Sequence, residues 1–185
     1  MTSTYELPLT LSRFLDLPET KPATEYINGR LIQKPMPQGE HSLIQTRLSQ
    51  AINLLGVPNK SVMALCELRC TFEGRSIVPD VAVFVWSRIP KTESGKISNR
   101  FEICPDWIVE ILSPEQAPNQ VIEKILFSME RGATLGWFID PQDESVMVFQ
   151  PGSLFIARGD NLLPVIPVLS SWQIPARELF EWLKL

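Results

Sequence analysis

The sequence predicts an α/β (α+β) domain with a central mixed sheet flanked by helices and a hairpin near the N-terminus. Three observations lead there. Ile44, Leu48, Ile52 and Leu55, and again Val121, Ile125 and Met129, recur every three or four residues, as on helices with one apolar face. From Val62 to Phe72 every second residue is apolar, which is the period of a strand. Ile77–Trp86 and Trp107–Leu112 are almost continuously apolar, as expected of central strands covered on both faces. With 185 residues, 44% of them hydrophobic, the chain has the material for a single domain spanning residues 1–185.

The elements follow in order. Thr10–Leu17 reads as a short opening helix capped by Thr10 and stopped by Pro18. Glu25–Ile32 holds two strand-like runs around Asn28-Gly29, a strong hairpin signal. A helix begins near His41 and ends near Gly56 and Pro58. The three apolar runs named above supply three strands. A second long helix carries Val121, Ile125 and Met129, with Ile122 and Leu126 widening its stripe and Gly132 as its stop. Leu135–Ile139 and Val146–Phe149 are two strands joined by the turn-like Asp140–Glu144. Pro175 then opens a closing helix bearing Leu179, Phe180 and Leu183.

Charge and cysteine content exclude several classes. The formal net charge is −4, which argues against coating nucleic acid through a broad basic surface while leaving room for one local phosphate grip. Residues 1–100 carry net +3 and residues 101–185 net −7, a division that two faces of one domain can produce. Cys66, Cys70 and Cys104 form no Cys-x-x-Cys pair and read as reduced, mostly buried thiols of a cytoplasmic protein. The N-terminus shows no targeting pattern, and no apolar run approaches the ~20 residues of a membrane span. P-loop, Rossmann glycine, Gly-x-Ser-x-Gly and His-Glu-x-x-His motifs are missing, so no nucleotide cofactor is expected.

Two acids stand out because each interrupts an apolar strand: Asp80 before Val-Ala-Val-Phe-Val, and Glu110 within Trp-Ile-Val-Glu-Ile-Leu. A buried carboxylate needs a partner or a cation. Two readings are open. In one, Asp80 shapes the turn after Pro79 and Glu110 pairs with an arginine. In the other, both acids share a divalent ion, and an oxygen-rich pair suits Mg²⁺ or Mn²⁺ better than zinc. Lys124, on the helix after the Glu110 strand, is either a solvated surface lysine or a cation that orients water and offsets phosphate charge. His41, the only histidine, is a structural cap or a group that bonds an acid, contacts phosphate or assists proton transfer. Between the acids, Arg88–Arg100 holds four basic residues, Arg88, Lys91, Lys96 and Arg100, against one acid. This stretch is a soluble loop or a phosphate contact that approaches the site.

Taken together, Pro79-Asp80, Val109-Glu110-Ile111-Leu112-Ser113-Pro114, Lys124 and Gly136-Trp137-Phe138-Ile139-Asp140-Pro141 closely resemble the Uma2 family, which is abundant in cyanobacteria. Glu25 with Asn28-Gly29, Lys34-Pro35-Met36-Pro37 and His41 extend the likeness, which runs from about Thr10 to Leu183. That family is similar to restriction-endonuclease-like proteins of the PD-(D/E)XK superfamily. The resemblance implies a homodimeric, Mg²⁺- or Mn²⁺-dependent DNA endonuclease. In that reading Asp80 and Glu110 hold the metal, and Lys124 is a catalytic lysine relocated from the strand to the next helix. Leu112 stands where the unshifted lysine would be. Glu25, His41 and Glu67 match further polar positions, with Glu67 set behind the others. Before Lys124 this chain reads Pro118-Asn119-Gln120 where family members often carry an aspartate. The alternative function is a catalytically silent nuclease-fold module for interaction or nucleic-acid binding.

Overall fold

A computed structural model describes residues 9–114 and 116–185. Residues 1–8, part of the N-terminus read above as free of a targeting pattern, lie outside them. The elements run α1 (Leu11–Leu15), β1 (Thr24–Ile27), β2 (Arg30–Gln33), α2 (Gly39–Gly56), β3 (Val62–Cys66), β4 (Cys70–Phe72), β5 (Arg75–Ile77), β6 (Val81–Val85), β7 (Trp107–Ile111), α3 (Pro118–Met129), β8 (Leu135–Asp140), β9 (Ser145–Gln150), β10 (Ser153–Arg158) and α4 (Ala176–Glu181). A six-stranded sheet has the order β10-β9-β8-β7-β6-β3, and a four-stranded sheet the order β2-β1-β5-β4. Within the larger sheet only β7 and β8 are parallel, joined by α3 as crossover.

Strand alternation decides what each face meets. Val81, Val83, Trp107, Val109 and Ile111 pack with Ile44, Leu48 and Ile52 of α2 and with Leu179 and Phe180 of α4. Ala82, Phe84 and Ile108 point the other way and pack with Val121 and Ile125 of α3. Glu110 is two residues beyond Ile108 and therefore shares the α3 face. Gly136 in β8 lets α3 approach closely, because a Cβ there would lie 2.5 Å from Cγ2 of Ile125. Asn28 and Gly29, at φ 52° and 79°, make the β1–β2 turn that the Asn-Gly pair predicts.

Two predicted strands are each broken in two. Val62–Phe72 divides into β3 and β4, and of Ile77–Trp86 the first residue ends β5 while Val81–Val85 forms β6. The breaks face each other, since Cys66 is in register with Val81 and Cys70 with Ile77. One long antiparallel pair thus bends out of the larger sheet into the smaller, with Glu67 at φ 51° on one side of the bend and Asp80 on the other. Hydrophobic alternation survives such a bend, which explains why it reads as one strand. β10 was not predicted; Leu154, Phe155 and Ile156 are all exposed on this edge strand, so it has no two-residue burial period. Pro175 caps α4 from outside its first turn. Cys70 and Cys104 are buried thiols, whereas Cys66 at the bend is exposed.

Candidate active site

Asp80 is fixed from three directions at the bend. Its Oδ2 accepts the backbone N–H of Ile111 at 2.7 Å, which ties it to the end of β7, and lies 3.1 Å from Nε2 of His41. Its Oδ1 accepts from Nζ of Lys34 at 2.6 Å. His41 and Gln45 are one turn apart on α2 and reach the same point, because Gln45 Nε2 donates to the Asp80 carbonyl at 2.8 Å. Burial opposes ionisation of Asp80, but Lys34 and the His41 contact outweigh it and hold the carboxyl well below its usual range.

Glu110 enters from β7 and Lys124 from α3. Nζ of Lys124 sits 2.9 Å from Glu110 Oε2 and 2.9 Å from Oε1 of Glu25 on β1. Glu25 Oε1 also accepts the N–H of Val78 at 2.7 Å. Lys34, one residue beyond β2, completes the group by donating to Val78 O at 2.8 Å and Glu67 Oε1 at 3.1 Å as well as to Asp80. Glu110 pairs with a lysine instead of an arginine, and Lys124 is 4% exposed, far from a solvated surface residue.

The buried charges do not balance. Three buried carboxylates, Glu25, Asp80 and Glu110, face two buried ammoniums, Lys34 and Lys124, while the Glu67 side chain is 43% exposed. Asp80 has three donors and Glu25 has two, whereas Glu110 has Lys124 alone and its Oε1 is buried without any partner. The surplus negative charge therefore falls on Glu110. Burial, with Asp80 and Glu25 adding repulsion, outweighs Lys124 and pushes its pKa up to about 8. Lys124 moves up for the complementary reason: burial disfavours its charge, but Glu110, Glu25 and Asp80 favour it more strongly. Both directions place a proton on the lysine first and a second on Glu110.

The acids fit a hard divalent ion on donor chemistry. Asp80 and Glu110 offer oxygen only, and Glu110 Oε1 is the buried oxygen still lacking a partner. Among the described residues no three His, Cys, Asp or Glu side chains gather into a complete metal cage. Two carboxylates with water completing the shell is the habit of Mg²⁺ rather than of zinc. A cleft of about 410 Å³ is lined by Glu25, Lys34, Gln120 and Lys124, with neither Asp80 nor Glu110 on its wall.

The basic loop is elsewhere, which corrects its expected approach to the site. β6 and β7 are antiparallel, with Val81 opposite Val109 and Val83 opposite Trp107. Asp80 and Glu110 consequently share one end of the pair, and Arg88 leaves from the other, about 17 Å away along β6. The end of the loop returns to the smaller sheet, where the Phe101 carbonyl accepts the Thr71 N–H at 2.9 Å and Arg100 lies beside Thr71. Arg88 bonds Asp106 Oδ1 at 2.5 Å and the Cys104 carbonyl at 3.0 Å. Two residues at the site went unassigned in the sequence reading, Lys34 and Gln45. Gln45 carries a weak signal, its spacing of four from His41. Lys34 follows an exposed strand and precedes Pro35, with no periodicity to mark it as buried.

Among the described residues no helix is long and apolar enough to cross a membrane. No functionally curated protein matches the chain. The crystal structure of a protein described as a "putative nuclease belonging to DUF820", from Anabaena variabilis, matches with a TM-score of 0.93 and 47% sequence identity, covering 95% of this chain and 99% of the other. That likeness, with the bent mixed sheet, establishes a restriction-endonuclease-like fold. The family model of Uma2, described as "Putative restriction endonuclease", matches residues 11–177, and the chain belongs to that family.

Proposed function

We propose that the chain is a Mg²⁺- or Mn²⁺-dependent phosphodiesterase that cuts DNA, acting as a cytoplasmic homodimer. One observation carries the metal-dependent chemistry: a buried, unpartnered carboxylate oxygen on Glu110, beside Asp80 and Lys124. Asp80 and Glu110 would hold the ion, which when bound supplies a Lewis acid for the phosphate and a more acidic water. Lys124, charged and lining the cleft, offsets charge that grows on the phosphate oxygens. Glu25 keeps Lys124 aimed, and His41 keeps Asp80 aimed while offering its other nitrogen for proton transfer. Glu67 steadies Lys34 from the rim. Dimerisation and DNA as substrate come from the family resemblance.

A silent scaffold is the second reading, and one observation favours it: both oxygens of Asp80 are already satisfied by protein donors. Cleavage of single-stranded, duplex and branched DNA with Mg²⁺ or Mn²⁺ separates the two. Wild type should cut, and Glu110→Gln and Lys124→Ala should each lose about a hundredfold or more in rate, with circular dichroism and light scattering confirming a folded dimer. A folded wild type that binds neither ion and cuts none of the substrates would establish the silent reading.

A further inference from the structure

A second cleft, of about 630 Å³, lies beside the acid cluster on the far side of His41. It opens at the C-terminal ends of the parallel strands β7 and β8, where open α/β sheets place their ligands. The start of α2 lines it through Gly39, Glu40 and His41, and this 18-residue helix has no side-chain cap, since Gln38 makes no capping hydrogen bond. Its first N–H groups and its positive dipole end are thus available to an anion.

A second, independent feature points to a ligand. Among the described residues, Ser113 Oγ and His41 Nδ1 are buried without hydrogen-bond partners, in residues 3% and 6% exposed, and both residues line this cleft. Buried polar atoms are ordinarily paired, so two orphans on one wall call for a partner that enters from the cleft. Ser113 can donate its O–H. His41 Nε2 is directed at Asp80, which leaves Nδ1 as the ring's second polar atom. Glu40 and Asp140 add acceptors on the same wall, with Asp140 Oδ1 also receiving the N–H groups of Gln142 and Asp143.

We propose that this cleft is a subsite for one nucleotide unit of the strand, next to the phosphate that is cut. Its phosphodiester oxygens accept from Ser113 and the α2 start, and the base donates to the two acids and meets His41 Nδ1. Those acids disfavour a doubly charged inorganic phosphate relative to a singly charged diester. The subsite also answers where strand phosphates are held, given that the basic loop starts at the other end of the β6–β7 pair. The strand's identity rests on the phosphodiesterase reading above, whereas the subsite itself does not.

The test uses the full-length protein with EDTA present, titrated into a fluorescent ten-nucleotide single strand, with inorganic phosphate as competitor. Ser113→Ala removes the hydroxyl. Gly39→Pro removes one N–H at the first helical position, where proline is tolerated, where the extended Gln38 accepts a following proline, and where a Cβ meets nothing within 4 Å. Each substitution should weaken strand binding about tenfold, and with Mg²⁺ the change should fall on KM rather than kcat. Wild-type binding that neither substitution alters overturns the subsite, as does a wild type that binds no strand. Binding of inorganic phosphate but not of the strand, lost in Ser113→Ala, overturns the nucleotide assignment. Strand binding sensitive to both substitutions in a protein that never cuts sinks the phosphodiesterase reading and leaves the subsite standing; cutting with unchanged KM in both variants does the reverse.

Discussion

At one end of the β6–β7 pair, five charged side chains from five places in the chain are buried together: Glu25, Lys34, Asp80, Glu110 and Lys124. From the other end leaves a loop on which Arg88, Lys91, Lys96 and Arg100 are exposed, and among the described residues only Arg88 of these is tied to an acid. By count of basic residues per length the loop is the more prominent feature of the sequence. By physical consequence it is the lesser one. A charge in water interacts weakly with its neighbours, while a charge taken out of water must be met by hydrogen bonds or a counterion. The acid end is therefore a place where small changes in charge have large effects, and the loop end is not.

The largest expected effect is on stability. Lys124→Met strips Glu110 of its one hydrogen-bond partner and leaves the buried Glu25 carboxylate without its ammonium. Removing one member of a buried pair costs about 3–5 kcal/mol, read as a lowered urea midpoint. Lys34→Met should behave similarly, since Asp80 and Glu67 lose the same cation. Arg88→Met should cost no more than about 1 kcal/mol, because Asp106 keeps the Val85 N–H at 2.7 Å. A Lys124→Met protein as stable as Arg88→Met would erase the contrast between the two ends.

A pH series sharpens the same contrast. Glu110 has an ordinary value of 4.5 and is pushed up to about 8 in the fold. Between those values the folded protein holds a proton that the unfolded chain releases. This group's contribution to stability is accordingly full below pH 4.5 and lost as pH rises through 8, with a slope of at most about 1.4 kcal/mol per pH unit. Asp80 acts in the opposite sense: its carboxyl is held below the usual range, so its contribution is present above pH 3.8 and disappears only in stronger acid. Urea midpoints of wild type should therefore fall from pH 5.5 to 8, and Glu110→Gln should flatten that trend. An equal slope in Glu110→Gln would assign the pH dependence to another group.

Much of this was visible in the sequence, for reasons the residues make plain. α2, α3 and the β8–β9 hairpin announced themselves because their apolar faces have clean periods and Gly132 and Asp140–Glu144 punctuate them. Asp80 and Glu110 stood out because a carboxylate inside an apolar run is costly unless it is used. The bend at Glu67 and Asp80 was hidden because inward residues stay apolar on both sides of it. Lys34 was hidden for a different reason: its burial comes from β1, β5 and α2 meeting around it, and nothing local in Arg30–Pro35 encodes that meeting. His41 and Gln45 sit between these cases, correctly spaced on one helix face but with a target that only the tertiary fold supplies.

The smallest expected effect is the one the charge pattern would have ranked first. Lys91→Ala, Lys96→Ala and Arg100→Ala combined should change KM for DNA cleavage by less than about twofold at 0.15 M salt, where the Debye length is about 8 Å. The loop leaves β6 at the end away from Asp80, roughly twice that distance off. Lowering the salt lengthens the screening distance, so any loss of encounter rate in the triple variant should emerge at 0.01 M and vanish again as salt is restored. A tenfold rise in KM that persists at 0.15 M would mean that the strand crosses the loop directly. The bound DNA would then have to run the length of the β6–β7 pair, and the loop would belong to the same interface as the buried acids.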